Sequence, residues 1–571
     1  MNLTRPHSFT LVGRVFLSIF KIIKNIRACP CFAGSVHYRF RFAHGFATAS
    51  RPSMHLTQPA HNKVKTQFLE TQGTPLINYH LIKQRKMKRT NKIKLVSAIT
   101  LLSIGFSVPH LNAQTSKKFS TGCFFDPAIH AKLPKSAPQL TRTMANLPAT
   151  VSLKSFCPSP KNQTPYNTCV GWSTAYAART IMESIALGRN SQQETDKAAF
   201  SPSYVYNQIR KNNTCTSPAY IHEAIELIIN QGCAKLEEFP FDCENTVDDN
   251  IMEKASKYRI TGYKALTPYK DLGFDIVKIM KKSLSQKNPI VIALRCYDSF
   301  FEVKEDLWNG AEDVDNGFHA ITVVGYDDQK HGGAFEIMNS WGTGWGNKGF
   351  CWIKYADIAK NAEAAYEMIG ELNALASAEK GKATKKGLFR VQALDGRVRF
   401  KKDSGEDMAA DFDPVLKMYK MRYPYKSGTK FQLNLTNSAA AYVYALSSDL
   451  NQNISQVFPH RADVSPALNY SDSEVAIPSE SAYFKMDNIP GNDYLCVLYS
   501  KVPINTEELL QKIAKMDKSE SFYKKIQTAL ANRMVDQSTV IYGRSGEISI
   551  NAHPNKVDDV FILMTELMHI K

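Results

Sequence analysis

The sequence predicts an α+β domain followed by a β-sandwich-like domain. Residues 146–374 begin with helical patterns and end with apolar strands such as 319–325. A stretch rich in Ala, Lys and Gly follows at 375–387 and is typical of a linker. A chain of 571 residues is also too long for a single core, so two or more domains are expected.

The prediction for residues 388–571 depends on alternation between apolar and polar side chains. The run 431–435 reads Phe-Gln-Leu-Asn-Leu, which is the pattern of a strand with one buried face. Residues 507–534 carry a long helical pattern, and 559–570 return to a strand pattern. We therefore expect a sandwich with one inserted or peripheral helix.

The net charge of +18 comes almost entirely from the N-terminal part of the chain. Residues 1–113 contain 17 of the 71 Lys and Arg residues and one of the 53 acidic residues, which leaves 54 basic and 52 acidic residues for 114–571. Such a nearly neutral folded part lacks the basic surface on which nucleic-acid binding depends. We expect no nucleic-acid partner.

A secretory signal peptide is predicted at 87–113. It starts with basic residues after Met87, continues as an apolar run over 95–108 and ends at the small residue Ala113. Because the run is shorter than the roughly 20 residues that span a bilayer, we favour cleavage before Gln114 over a membrane anchor. We therefore expect a bacterial protein whose mature form is secreted or periplasmic and is not stably inserted in a membrane.

The segments on either side of this signal carry no recognisable domain. Residues 1–86 are basic and without a sustained period, so we interpret them as a non-native or disordered extension from a start codon assigned too early. A genuine extension with a small helix over 15–26 is the alternative. Residues 114–145 are polar and irregular and are predicted to be a linker.

Cysteine usage indicates disulfides together with a free thiol. Nine of the eleven cysteines lie beyond residue 113, and this is an odd number for an exported protein. Zinc binding by Cys215, His222, Cys233 and Cys243 is an alternative, but these residues lack paired Cys-x-x-Cys spacing. We expect a disulfide among them, and no metal or cofactor.

Cys169 opens a helical pattern and is the first candidate for chemistry. Turn-forming residues 162–168 precede it, and the pattern runs to Leu187 and stops at Gly188. The unpaired N–H groups at a helix N-terminus stabilise a thiolate, the form of cysteine that attacks an amide carbonyl. The alternative is a buried cysteine that only packs against the helix.

Two later segments supply polar partners. His319 opens an apolar strand, and Asn339 begins the string Asn-Ser-Trp-Gly-Thr-Gly-Trp-Gly at 339–346. A lone histidine is more often structural. The glycines do not indicate a phosphate loop, because a strand follows them and Gly-Lys-Ser/Thr is absent from the segment.

Taken together, these segments resemble the papain family of cysteine peptidases. The resemblance rests on Gln163 six positions before Cys169, on the order Cys169, His319, Asn339, and on the complete string 339–346. It covers 146–374. It implies a two-lobed fold, with a helical lobe and a β-barrel-like lobe, and a peptide or protein substrate.

The resemblance also implies a role for each residue. Cys169 would attack as a thiolate and form an acyl-enzyme, with His319 as general base and then general acid. Asn339 would orient the imidazole, and Trp341 would cover that pair. Gln163 and the Cys169 backbone N–H would form the oxyanion hole.

The sequence departs from the family pattern near the nucleophile. Val170 stands where the family has Trp, and Trp172 is a partial replacement. Tyr166 stands where the family has a cysteine, so Cys215 lacks its usual partner. Thr216-Ser217 replaces a glycine pair that lines the cleft. The stretch 114–145 is also too short for the usual inhibitory propeptide, so no zymogen cleavage is expected there.

Two alternatives to hydrolysis are a catalytically lapsed papain-fold binding protein and an acyl transferase that uses the same residues. The domain 388–571 resembles β-rich modules found behind bacterial caspase-like and papain-like peptidases, through Tyr442-Val443-Tyr444 and Phe458-Pro459. We expect this accessory domain to bind or position a protein or a cell-surface ligand.

Overall fold

The computed structural model describes most of the chain beyond residue 118. The described ranges are 119–137, 146–189, 191–266, 275–370, 393–449, 452–470, 473–543, 546–556 and 558–571. The predicted extension 1–86, signal peptide 87–113 and linker 375–387 lie outside them.

Most helices precede the long strands of the α+β domain, as the sequence predicts. The α-helices are α1 Pro127–His130, α2 Cys169–Gly171 (continuing with π geometry as Trp172–Arg179 and then as Thr180–Ala186), α3 Gln192–Lys197, α4 Pro202–Ile209, α5 Ile221–Gln231, α6 Asp249–Ala255, α7 Ile276–Ser285, α8 Asp298–Phe301, α9 Tyr355–Asn361, α10 Thr506–Ala514 and α11 Phe522–Leu530. Short 3₁₀ turns occur at Lys154–Phe156, Ser256–Tyr258, Lys330–Gly332, Ala531–Arg533 and Gln537–Thr539.

The strands of the α+β domain form one sheet with the central order β4-β10-β5-β7-β8-β9-β6. Neighbours along this path are antiparallel except β9 and β6. Within the described ranges, the strands are β1 Cys123–Phe124, β2 Thr150–Ser152, β3 Ala219–Tyr220, β4 Gly262–Ala265, β5 Ile290–Tyr297, β6 Leu307–Trp308, β7 Asp315–Asp327, β8 Ala334–Met338, β9 Phe350–Lys354 and β10 Ala362–Ile369.

Helix α2 passes through the middle of this domain. Every residue from Cys169 to Ala178 is buried, as expected for a helix that is apolar on all sides. Thr322 on β7 donates a hydrogen bond of 3.0 Å from its hydroxyl to the Ser173 carbonyl, which joins the helix to the central strand. The start of α2 and the middle of β7 are thereby held side by side.

The described part of the expected linker 114–145 is ordered. Residues 119–137 contain β1 and α1, and β1 pairs with both β3 and β7. Asp126 caps α1 by accepting hydrogen bonds from the Ala128 and Ile129 N–H groups. The segment therefore joins the main sheet.

Residues 393–571 form a β-sandwich. One sheet has the path β19-β15-β11-β23-β22 and the other β12-β13-β24-β21-β16-β17. The strands are β11 Leu394–Lys402, β12 Ala410–Asp413, β13 Met418–Met421, β14 Tyr425–Lys426, β15 Lys430–Asn437, β16 Ala441–Ser448, β17 Ile454–Phe458, β18 Ala467–Leu468, β19 Ser473–Ile477, β20 Phe484–Lys485, β21 Gly491–Ser500, β22 Val540–Tyr542, β23 Ile548–Ala552 and β24 Val560–Ile570. The architecture agrees with the predicted α+β domain followed by a sandwich.

Alternate residues of β16 are buried on opposite faces of the strand. Val443 and Ala445 enter the core between the sheets, while Tyr442 and Tyr444 pack with α10 and α11 on the outer face. The prediction of one long helix over 507–534 is wrong in this detail. Ser521 caps a second helix by accepting from the Lys524 N–H, so the interval contains two.

A buried polar cluster joins the two domains. Glu367 of β10 and Lys264 of β4 are both almost fully buried, and Lys264 Nζ lies 3.6 Å from Glu367 Oε1. From the sandwich, the Tyr470 hydroxyl donates to Glu367 Oε2, while Asn469 donates to Glu367 Oε1 and accepts from Lys264. We call these four residues the interface cluster.

Candidate active site

Cys169 lies at the first residue of α2 and has no exposed surface. Its Sγ accepts a hydrogen bond of 3.5 Å from the Ala320 N–H on β7. The backbone N–H groups of Val170 and Cys169 itself also lower the pKa of the thiol, but burial outweighs them and raises the pKa to about 12. The helix start is therefore present, while the thiol in this conformation is neutral.

His319 lies on β7 and is also fully buried. Its Nε2 is 2.7 Å from Asn339 Oδ1. That oxygen also accepts a 2.8 Å hydrogen bond from the Ser340 N–H, which identifies it as the acceptor. His319 Nε2 must then carry the proton, and Nδ1 is left with a free lone pair.

Asn339 and Gln163 are connected through Ser340. The Ser340 hydroxyl donates a 2.6 Å hydrogen bond to Gln163 Oε1, so the Gln163 amide presents its NH₂ group on the other side. A continuous hydrogen-bonded chain thus runs from Gln163 through Ser340 and Asn339 to His319. The structure brings together all four predicted site residues, because Ala320, next to His319, binds Cys169.

The thiol and the imidazole are both neutral in this conformation. Burial lowers the pKa of His319 to about 4, against the opposing hydrogen bond to Asn339. Among the described residues, His319 Nδ1 has no hydrogen-bond partner, and neither does Asn339 Nδ2. Because both side chains are fully buried, desolvation disfavours the thiolate–imidazolium pair in this conformation.

Residues 119–125, which we call the covering segment, lie across these side chains. The Phe119 ring stacks on Trp341 at 4.9 Å, and Trp341 stacks on His319 at 4.4 Å. The Ser120 carbonyl accepts 3.0 Å hydrogen bonds from both Gln163 Nε2 and Trp341 Nε1. The Ser120 carbonyl thus takes one hydrogen of the Gln163 amide, and the Tyr166 carbonyl takes the other at 2.9 Å.

The rest of the covering segment pairs with the cleft walls. The Gly122 carbonyl accepts from the Ala219 N–H at 3.0 Å, and Cys123 lies opposite both Ala219 and Phe318 in the sheet. Gly122 fits because it has no side chain: a Cβ would lie 2.2 Å from the Asn167 carbonyl oxygen. Sequence reasoning missed this segment, and its one signal is the aromatic Phe119, Phe124 and Phe125 in a polar stretch.

The departures from the family pattern have structural outcomes. Cys215 bonds to Cys243, which confirms the expected disulfide and occupies two of the four residues weighed for zinc. Trp172 packs edge-on against Tyr176 and Phe241 in the core. The Thr216 carbonyl accepts a 2.6 Å hydrogen bond from Asn167, so this wall is held by side-chain contacts where the family has glycines.

Sequence comparison identifies the first domain. Residues 154–369 match the family described as papain family cysteine protease. Mouse cathepsin K is 23% identical over 308 residues, which are 51% of this chain and 83% of that protein. A cysteine protease of Blomia tropicalis is 25% identical over 32% of this chain, and a cathepsin B-like protein of Giardia intestinalis 26% identical over 26%. This chain spans only about half the length of these last two. The chain contains a papain-family cysteine protease domain.

Solved structures with similarity include xylellain, a cysteine protease from Xylella fastidiosa. It is 22% identical with a TM-score of 0.37, over 44% of this chain and 97% of that one. Bromelain from Ananas comosus is 22% identical with a TM-score of 0.32, over 39% and 100%. In the C-terminal domain, residues 424–503 match a family described as a domain of unknown function, DUF4384.

Proposed function

We propose that the chain hydrolyses peptide bonds in peptide or protein substrates, with Cys169 as the nucleophile. The observation that carries the proposal is the hydrogen-bonded chain from Gln163 to His319, which leaves His319 Nδ1 unpartnered beside the start of α2. A buried acceptor without a hydrogen-bond donor lowers the stability of the fold, so its presence calls for a functional explanation. Transfer of a proton from the Cys169 thiol to His319 Nδ1 would supply that explanation.

In the first step, His319 Nδ1 takes the Cys169 proton while Nε2–H stays on Asn339. The thiolate attacks the substrate carbonyl carbon, and the negative charge that develops on the oxygen is stabilised by Gln163 Nε2 and the Cys169 backbone N–H. The imidazolium then protonates the departing amine, which leaves a thioester on Cys169. Water, deprotonated by His319, hydrolyses the thioester and restores the thiol.

The described conformation corresponds to a latent state under this proposal. A substrate carbonyl needs the Gln163 NH₂ group, which binds the Ser120 carbonyl instead. Displacement of residues 119–125 would admit water and substrate together. The solvent would then stabilise the ion pair that burial disfavours. We therefore propose that residues 119–125 restrain the site, although the stretch 114–145 is too short for the usual inhibitory propeptide and no zymogen cleavage is expected there.

Gly122→Val is the variant that opens the cleft, since its side chain clashes with the Asn167 carbonyl. We expect the Gly122→Val variant to cleave peptides of a mixed library, with the products detected by mass spectrometry. The double variant Gly122→Val/Cys169→Ala should cleave them more slowly by about 10⁴-fold or more. Lys132→Ala, a change at an exposed position that follows the covering segment and α1, is the control and should behave as wild type.

The same assay separates the alternatives. An open cleft that binds peptides without cleaving them would support a lapsed binding protein. Amide products formed in the presence of an added amine would indicate acyl transfer, which differs from hydrolysis only in the second nucleophile.

We also propose that export through 87–113 delivers the mature protein to a secreted or periplasmic location. Within the described ranges, no helix combines the length and the apolar character needed to cross a bilayer. N-terminal sequencing of material recovered outside the cytoplasm should give Gln114 as the first residue. A first residue upstream of Met87 would contradict the proposal.

A further inference from the structure

The chain that follows the covering segment passes between the two domains. On the side of the α+β domain, the Pro134 carbonyl accepts from the Ala265 N–H at 2.7 Å, and the Ala265 carbonyl accepts from the Ser136 N–H at 2.9 Å. On the side of the sandwich, the Lys135 N–H donates to the Asp463 carbonyl at 2.7 Å. We call residues 134–137 the clasp.

Side chains of the same stretch are divided between the two cores. Leu133 is buried in the core of the α+β domain. Ala137, four residues later, is 5% exposed and belongs to the core between the two sheets of the sandwich. The Lys135 carbonyl adds a 2.8 Å hydrogen bond from the Ser465 N–H of the sandwich. The sandwich therefore binds the clasp through backbone pairing and through an apolar contact.

The Lys135 side chain stabilises the turn that leads into the clasp. Its ammonium group donates to the carbonyls of His130, Ala131 and Leu133 at 2.9, 2.9 and 3.0 Å. Burial lowers the pKa of this amine, although the Asp463 charge opposes the effect. The turn holds α1, and with it the end of the covering segment, at a fixed distance from the sandwich.

We propose that the C-terminal sandwich controls access to the cleft by holding the clasp. The covering segment binds the cleft by a few hydrogen bonds and by aromatic contacts of Phe119, Phe124 and Phe125. A short segment held by so few contacts can open locally while the rest of the fold stays intact. Anchoring at the clasp keeps the segment at high effective concentration beside the cleft, so it returns after each opening. The interface cluster keeps the sandwich in place relative to β4 and β10, so the anchor does not move with the segment. Release of the clasp lowers that concentration and exposes Cys169.

Alkylation of Cys169 by iodoacetamide measures access without requiring catalysis. The first variant is the full-length chain with Ala137→Arg, a substitution that places a positive charge in the core of the sandwich at the clasp. We expect its Cys169 to react at least about tenfold faster than in wild type, which corresponds to a local opening that is easier by about 1.4 kcal/mol. Cys157, buried in the same domain, is the internal reference in the peptide map, and Lys132→Arg is the exposed control.

A second variant tests whether the effect of Ala137→Arg comes from release of the clasp or from a folding defect of the sandwich. Lys135→Met keeps the length of the side chain and removes its ammonium donor, so it weakens the turn without adding a charge to the sandwich core. Hydrogen exchange of the peptide 119–137 reports whether either variant releases the clasp. Release with faster alkylation of Cys169 supports the proposal. Release with alkylation at the wild-type rate overturns it. Faster alkylation without peptide cleavage would refute the proposed hydrolysis and leave this inference intact.

Discussion

Two buried polar clusters in this molecule differ in how completely their hydrogen bonds are made. In the interface cluster, Glu367 has partners on both carboxylate oxygens, and Lys264 lies between that carboxylate and Asn469. In the cleft, His319 Nδ1 and Asn339 Nδ2 are buried without partners. Glu367, Lys264 and Tyr470 in the first cluster are almost inaccessible to water, as are His319 and Asn339 in the second.

The difference indicates different uses for the two clusters. Leaving a buried polar atom unpaired costs about 1–3 kcal/mol, and a merely structural cluster gains nothing from that cost. The interface cluster stabilises the union of the two domains through paired charges. Under the proposed mechanism, the cleft keeps His319 Nδ1 free to accept a proton and to return it.

The largest expected effect comes from breaking the fully paired cluster. Glu367→Ala leaves the buried Lys264 amine without its carboxylate partner, which should lower the free energy of unfolding by about 3–5 kcal/mol. Urea denaturation of wild type and variant measures this change in the free energy of unfolding. Lys512→Ala removes an exposed ion pair with Glu508 and should cost less than about 1 kcal/mol. A similar small loss for Glu367→Ala would mean that the cluster does not hold the domains together.

The next effect is kinetic and concerns the donor that the covering segment occupies. In the Gly122→Val background, Gln163→Ala should lower kcat/KM by about 10²–10³-fold, because one donor to the developing oxyanion is lost. Gln192→Ala, whose amide donates to the Cys157 carbonyl outside the cleft, is the matched control and should be nearly silent. A loss for Gln163→Ala no larger than that of the control would remove Gln163 from the mechanism.

The smallest effect is a pH dependence of stability. The His319 pKa is about 4 in the folded chain, below its ordinary value of about 6.5 because of burial. The unfolded chain therefore binds a proton first, and stability falls as pH falls from about 6.5 toward 4, by up to about 1.4 kcal/mol per pH unit. Denaturant curves for wild type and His319→Gln measure it. The variant should lose less stability over that interval, and parallel curves would show that His319 is not buried in neutral form.

Local sequence patterns predicted much of the fold and located two of the four candidate site residues. The turn-to-helix pattern located Cys169 at the start of α2, and the apolar run after His319 predicted β7. These features depend on neighbours within a few residues, so the sequence alone indicates them. The papain resemblance made Gln163 and Asn339 candidates, and their spacing has no local signal of its own.

Tertiary structure decided the state of the site and the place of the segment before it. The helix N-terminus predicted a thiol with a lowered pKa, but burial beneath residues 119–125 raises it instead. That burial depends on contacts such as Phe119 with Trp341 and Lys135 with Asp463, between residues more than 200 positions apart. A polar, irregular stretch carries no local pattern that reveals such distant partners, because its order comes from the surfaces that receive it.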